Sequence, residues 1–152
     1  ARTEGARQPL RVVFDSQARL PLDSQLLATL DQSPVLVVIA PDADQGRAVA
    51  LQGAGAEVLV GAGATPADRV ASALTELGRR GVTSLFLEGG RTLAAAFQAA
   101  GQLDESRTFV APVLLGGQGG GQADPAPRVT ALHSAAEPVG EDVLIVARYK
   151  EW

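Results

Sequence analysis

Apolar positions along this chain keep one rhythm at first and then change to another. Leu10-Arg11-Val12-Val13-Phe14 predicts a short strand ended by Asp15-Ser16, and Val35 to Ile39 is an unbroken apolar run. Such a run suits a strand covered on both faces. Pro21, Pro34 and Pro41 punctuate this region, Gly46 to Gln52 predicts a short helix stopped by Gly53-Ala54-Gly55, and Glu57 to Val60 predicts a strand. The next helix carries the clearest boundary signals. Thr65 is placed to cap it, Pro66 suits its first turn, and Asp68 sits near the positive end of its dipole. Val70, Leu74 and Leu77 follow at helical spacing, with Arg79 and Arg80 in the last turn and Gly81 as the stop.

Ser84 to Glu88 predicts a further strand, and Thr92 to Ala100 a helix with Leu93, Ala96, Phe97 and Ala100 on one side, closed by Gly101. From there the rhythm is that of strands alone. Arg107 to Ala111, Arg128 to His133 and Asp142 to Tyr149 each predict one, the last two joined by a loop containing Pro138 and Gly140. Strand-helix alternation followed by consecutive strands predicts an α/β fold with a mixed, mostly parallel sheet and antiparallel C-terminal strands. No internal repeat or long linker divides the chain, so residues 1–152 are expected to form one domain.

Composition narrows the chemistry. Hydrophobic residues make up 46% of the 152, enough for a sizeable core, yet the longest apolar runs are far too short to cross a bilayer. The opening ARTEGARQP lacks the apolar stretch of a signal peptide, so a cytoplasmic protein without membrane association is expected. With no cysteine and a single histidine, His133, thiolate chemistry and a His-pair metal site are excluded, and no metal is expected. A net charge of −4 argues against nucleic acid as a partner. Lys150 is the only lysine, which excludes a Walker phosphate loop. Arg2, Arg7, Arg11 and Arg19 make the first segment locally basic, as a solvated face or as a phosphate contact.

Several glycine clusters fall short of the dinucleotide fingerprint. Gly53-Ala54-Gly55 lacks its third glycine, and Gly61-Ala62-Gly63 has Pro66 where that glycine belongs, so both read as turns. Gly116 to Gly121 reads as a loop, of a composition that also lets backbone approach a ligand. Asp104-Glu105 reads as a solvated turn, His133 as packed or surface-exposed, and Asp15-Ser16 as a turn past a strand end. Glu88-Gly89-Gly90 has two open readings. It is either a tight strand-to-helix turn with Glu88 capping amides, or a ligand site where the helix N-terminus and two bare glycines receive a phosphate.

A longer resemblance bears on that choice. LFLEGGRTLAAAFQAAGQLDESRTFVAPVLLGGQG resembles the pattern E-G-G-x-x-L-x-x-x-F, L-V-D-E, A-P-x-x-L-G-G of the riboflavin-biosynthesis reductase domain. That domain is the C-terminal half of a bifunctional deaminase-reductase. QPLRVVFDSQARLPLDSQLL is similar to the family's P-x-R-V-V-x-D-S-x-x-R-x-P stretch, and GEDVLIVARY to its final strand. The resemblance implies a dihydrofolate-reductase-like three-layer fold and an NADPH-dependent reduction. A phosphorylated ribosylamino-pyrimidine becomes its ribitylamino product, with hydride delivered to the sugar C1′.

Carried over by motif, Glu88 and Arg2 would contact substrate, Arg2 at its phosphate. Ser16 would contact NADPH, together with Gly90, Arg91, Thr92, Leu93, Ala94, Ala95 and Ala96. The resemblance also implies a homodimer, a deaminase domain upstream in the parent protein, and a first strand, helix and strand lying before Ala1. Two alternatives stay open: another pteridine- or folate-type reductase, and a non-catalytic nucleotide-binding fragment of the same fold.

Overall fold

The structure, a computed structural model, describes residues 8–113 and 128–151. Arg2, Arg7, Leu114, Leu115 and the Gly116 to Gly121 loop therefore lie outside the described residues. The chain forms two compact units that divide between Phe86 and Leu87.

The first unit alternates strand and helix as expected. Its elements are β1 (Arg11–Phe14), α1 (Gln25–Ala28), β2 (Val35–Ile39), α2 (Gln45–Gly53), β3 (Glu57–Val60) and α3 (Pro66–Arg79). The strands form a parallel sheet in the order β1-β2-β3, with Val12 opposite Leu36 and Leu36 opposite Glu57. All five residues of β2 are buried, and the alternation of a strand sends them to two cores. Val35, Val37 and Ile39 pack with Leu27, Ala48 and Leu51 of α1 and α2. Leu36 and Val38 pack on the other face with Ala73 and Leu77 of α3. The helical stripe of α3 is Val70, Ala73 and Leu77, with Leu74 half-buried beside it. Leu74 packs against this core as its helical spacing predicts, and fully buried Ala73 joins it.

Helix α3 starts on a reciprocal cap. Thr65 Oγ1 accepts from the Asp68 amide at 3.1 Å, and the Asp68 carboxylate accepts from the Thr65 amide at 3.0 Å. These bonds, the backbone one foremost, hold the Asp68 carboxyl below its usual range. Gly63 is required just before this cap. Its φ is +104°, and a Cβ there would lie 2.1 Å from the Asp68 Cβ. The helix ends on Gly81, with Val82 N donating to Leu77 O at 3.0 Å and Gly81 N to Gly78 O at 3.0 Å, a Schellman pair. α2 ends in the same way.

Arg11, read from sequence as part of a solvated or phosphate-binding cluster, has a structural task. Its guanidinium donates to Thr29 Oγ1 at 2.7 Å, to the Thr29 carbonyl at 2.9 Å and to the Ser33 carbonyl. It ties β1 to the chain entering β2.

The second unit contains α4 (Arg91–Ala99), β4 (Glu105–Val110), β5 (His133–Val139) and β6 (Asp142–Arg148). The strands form an antiparallel sheet in the order β4-β6-β5. Two expectations need correction. The strand placed at Arg128 to His133 runs instead from His133 to Val139, so Pro138 lies inside it and not in a loop. Pro138 is tolerated because β5 is an edge strand among the described residues, where a missing N–H costs no ladder bond. The hairpin to β6 turns on Gly140 and Glu141, with positive φ at the glycine alone, the type II′ pattern. The strand expected over Ser84 to Glu88 is likewise not formed; this stretch pairs with no strand among the described residues, and Phe86 is 79% exposed. The parallel and antiparallel strands accordingly form two separate three-stranded sheets. No helix among the described residues is long and apolar enough to cross a membrane.

Candidate functional site

Parallel strands end at a common edge, and the C-terminal ends of β1, β2 and β3 lead into Asp15-Ser16, Ala40-Pro41 and Gly61-Ala62. This is the edge at which open α/β sheets bind ligands. Three bonds stitch it together: Asp15 N donates to Val38 O at 2.9 Å, Ala40 N to Ser16 O at 3.1 Å and Gly61 N to Ile39 O at 2.9 Å. Asp15 then folds the next turn on itself. Its carboxylate accepts from Leu20 N at 2.7 Å and Gln17 N at 3.3 Å, so the acid is committed to structure. Ser16 is left exposed, its hydroxyl in no hydrogen bond among the described residues. The Asp-Ser pair thus divides its labour: one side chain builds the turn and the other faces solvent.

Glu88, Gly89 and Gly90 lie in the second unit, directly before α4. Glu88 is exposed, and its carboxylate makes no hydrogen bond or ion pair among the described residues. It therefore does not cap the amides of α4, which removes one of its two readings. Gly90 is the N-cap residue and supplies no side-chain cap, in contrast to Asp44 on α2 and Thr65 on α3. The N-cap of α4 thus lacks the side-chain acceptor that Asp44 and Thr65 give to α2 and α3.

The two glycines serve different ends. A Cβ on Gly89 would meet Leu93 Cδ2 at 2.7 Å, so its bareness is needed for internal packing. A Cβ on Gly90 would meet nothing within 4 Å, leaving open space over the helix start. Of the helical residues singled out from sequence, Arg91 and Thr92 are exposed, Leu93, Ala94 and Ala95 are half-buried, and Ala96 is buried beside Phe97.

Ser16 belongs to the first unit, and Glu88 with Gly90 to Ala96 to the second; Arg2 lies outside the described residues. The remaining charged candidates are engaged in pairs. Glu105 accepts from Arg107 Nε at 2.9 Å and Arg148 Nε at 3.3 Å, and these bonds, Arg107 foremost, hold its carboxyl below the usual range. Asp104 pairs with Lys150 at 2.8 Å. Asp104-Glu105 is thus a paired entry to β4, and His133 is exposed at the start of β5. Among the described residues no group of His, Cys, Asp and Glu could hold a metal ion.

A family model described as the RibD C-terminal domain matches residues 1–145. The chain belongs to this family. Its α/β, dihydrofolate-reductase-like fold is that of a RibD C-terminal domain. The chain is similar to the riboflavin biosynthesis protein RibD of Actinobacillus pleuropneumoniae, 30% identical over 95% of this chain and 40% of that protein. It is similar also to the 2,5-diamino-6-ribosylamino-4(3H)-pyrimidinone 5′-phosphate reductase of Aquifex aeolicus, 34% identical over 74% of this chain and 49% of that one. The reductase of the same name from Methanothermobacter thermautotrophicus is 36% identical over 72% of this chain and 49% of its own length. The chain therefore spans less than half the length of these relatives.

Proposed function

We propose that this chain is the reductase portion of a riboflavin-biosynthesis protein. It would reduce the ribosylamino group of 5-amino-6-(5-phosphoribosylamino)uracil to the ribitylamino group at the expense of NADPH. The observation that carries the reading is the family match over residues 1–145, together with a glycine at the N-cap of α4 that supplies no side-chain cap. Ser16, Gly90, Arg91, Thr92, Leu93, Ala94, Ala95 and Ala96 would hold the dinucleotide. The open space at Gly90 fits a phosphate approaching the helix start, where amides and dipole favour an anion. Ala96, being buried, would contribute through its packing and backbone.

NADPH, when bound, supplies the hydride; the chain's own residues supply position and electrostatics. Glu88 and Arg2 would engage the substrate. An exposed carboxylate with no partner among the described residues can accept hydrogen bonds from sugar hydroxyls or the exocyclic amine, and so orient the reacting carbon. We further propose a cytoplasmic homodimer, with the deaminase domain upstream in the parent protein.

A second substrate has support of its own. Two of the relatives are named for the 2,5-diamino-pyrimidinone phosphate, the form that still carries its second amino group. Assaying NADPH oxidation by the parent protein with each pyrimidine separates the two. Turnover with dihydrofolate alone would sink both. Glu88→Gln is expected to lower kcat/KM by about tenfold or more, the loss of one charge-assisted bond. Unchanged turnover would leave Glu88 without a role in the reaction.

A further inference from the structure

The C-terminal edge of the parallel sheet carries three short loops, 15–17 after β1, 40–44 after β2 and 61–64 after β3. Together they hold three acids, Asp15, Asp42 and Asp44, and no lysine, arginine or histidine. Two of the acids have structural tasks. Asp15 accepts from Leu20 N and Gln17 N, and Asp44 caps α2 by accepting from Arg47 N at 2.9 Å. Asp42 is exposed, and its carboxylate makes no hydrogen bond or ion pair among the described residues.

The backbone at Asp42 is well fixed. Ala43 N donates to Ala40 O at 3.1 Å, closing a β-turn with Pro41 and Asp42 at its centre. Proline at the first central position sets φ there. The same Ala40 gives its N–H to Ser16 O at 3.1 Å. Asp42 therefore stands two residues from the point where the β2 loop is bonded to the residue proposed to contact the cofactor. It lies past the end of the central strand, on the edge where such sheets receive dinucleotides.

We infer that Asp42 sets selectivity at the adenosine ribose of the cofactor: its carboxylate accepts from a free 2′-hydroxyl and opposes a 2′-phosphate, so that the preference for NADPH over NADH is small. The inference rests on the reductase reading and adds to it the residue that weighs one nicotinamide dinucleotide against the other. An acid past a strand end bonds the ribose hydroxyl in dinucleotide-binding sheets, where an arginine instead receives the 2′-phosphate. A phosphate beside Asp42 would set two anions against each other, with no cation in the three loops to divide them. The cations next in sequence, Arg19 and Arg47, lie beyond these loops.

Titration of NADPH and of NADH into the parent protein, followed by nicotinamide fluorescence, gives the ratio of the two dissociation constants. NADPH is expected to bind no more than about tenfold more tightly than NADH. Asp42→Asn, of the same size and at an exposed position, should tighten NADPH by about tenfold while NADH stays level or weakens. That gain should shrink as salt is raised, because the carboxylate it removes is exposed. Asp42→Glu keeps the charge and should leave the ratio near its natural value. Asp31→Asn removes the same charge from the stretch that leads into β2, at the other end of the strand, and should change neither constant. A natural preference for NADPH above about tenfold overturns the inference. So does an unchanged ratio in Asp42→Asn, or an equal change in Asp31→Asn, and each of these leaves the reductase reading standing. Binding of neither nucleotide overturns both.

Discussion

β2 and β6 are each the middle strand of a three-stranded sheet, and each is an unbroken apolar run, V-L-V-V-I in one and V-L-I-V-A in the other. Their fates differ. All of β2 is buried, between α1 and α2 on one face and α3 on the other. In β6 only Leu144 and Ala147 are buried, and Val143 and Ile145 remain 42% and 38% exposed. A hydrophobic run states that both faces of a strand seek cover, and nothing about what supplies it. In the first unit the cover is encoded nearby, in helices that flank the strand in sequence. In the second, nine-residue α4 is the one helix among the described residues, and an apolar face with Val110, Val143 and Ile145 is left open.

Substitutions on the two strands test this contrast most strongly. Leu36→Ala should cost about 2–5 kcal/mol, the usual loss for a fully buried leucine. Ile145→Ala should cost under about 1 kcal/mol, since much of its side chain already meets water. Urea unfolding of both variants checks the pair. An equal cost would mean that another surface covers β6 in solution, as the proposed homodimer would allow.

The next effect concerns the supporting loops of the first unit. Gly63→Ala should destabilise by about 1–3 kcal/mol, because its β-carbon meets Asp68 and its φ is unfavourable. Thr65→Ala should cost about 1 kcal/mol by removing one half of the reciprocal cap. Thermal melting orders the two, and a larger loss from Thr65→Ala than from Gly63→Ala would contradict the geometry.

The smallest effect falls on the second unit. Glu105 has its folded pKa depressed below the unfolded value by Arg107 and Arg148. Such a group contributes stability above its unfolded pKa, and that contribution is lost as pH falls through the folded value. Stability should therefore decline as pH falls below the ordinary glutamate range, and Glu105→Gln should flatten part of that decline. Asp68, depressed in the same sense by its cap, keeps the remainder. A decline unchanged in the Glu105→Gln protein would assign the acid sensitivity elsewhere.

The same contrast explains what could be read from the chain. β2, β3 and α3 were legible because their signals are local: an unbroken run, a capping threonine three residues before an acid, a glycine stop. β5 was displaced by several residues because its sequence, HSAAEPV, carries no apolar alternation; its place is set by pairing with β6. Ser84 to Glu88 has the composition of a strand, but a strand also needs a neighbour, and none is present among the described residues. At the candidate site, the Glu88-Gly89-Gly90 motif was evident as a unit. That Gly89 serves packing while Gly90 leaves open space was not, since the distinction depends on where Leu93 points.

Pro138 carries a consequence for how the protein lives at high concentration. An exposed sheet edge is a template, and a second chain can extend it by laying down a complementary row of hydrogen bonds. On β5 that row is interrupted, because proline offers no N–H where an incoming strand would require one. Glu137 beside it adds a charge to the same edge. The sheet that leaves apolar side chains uncovered on its face thus resists extension at β5, its outermost strand on that side among the described residues.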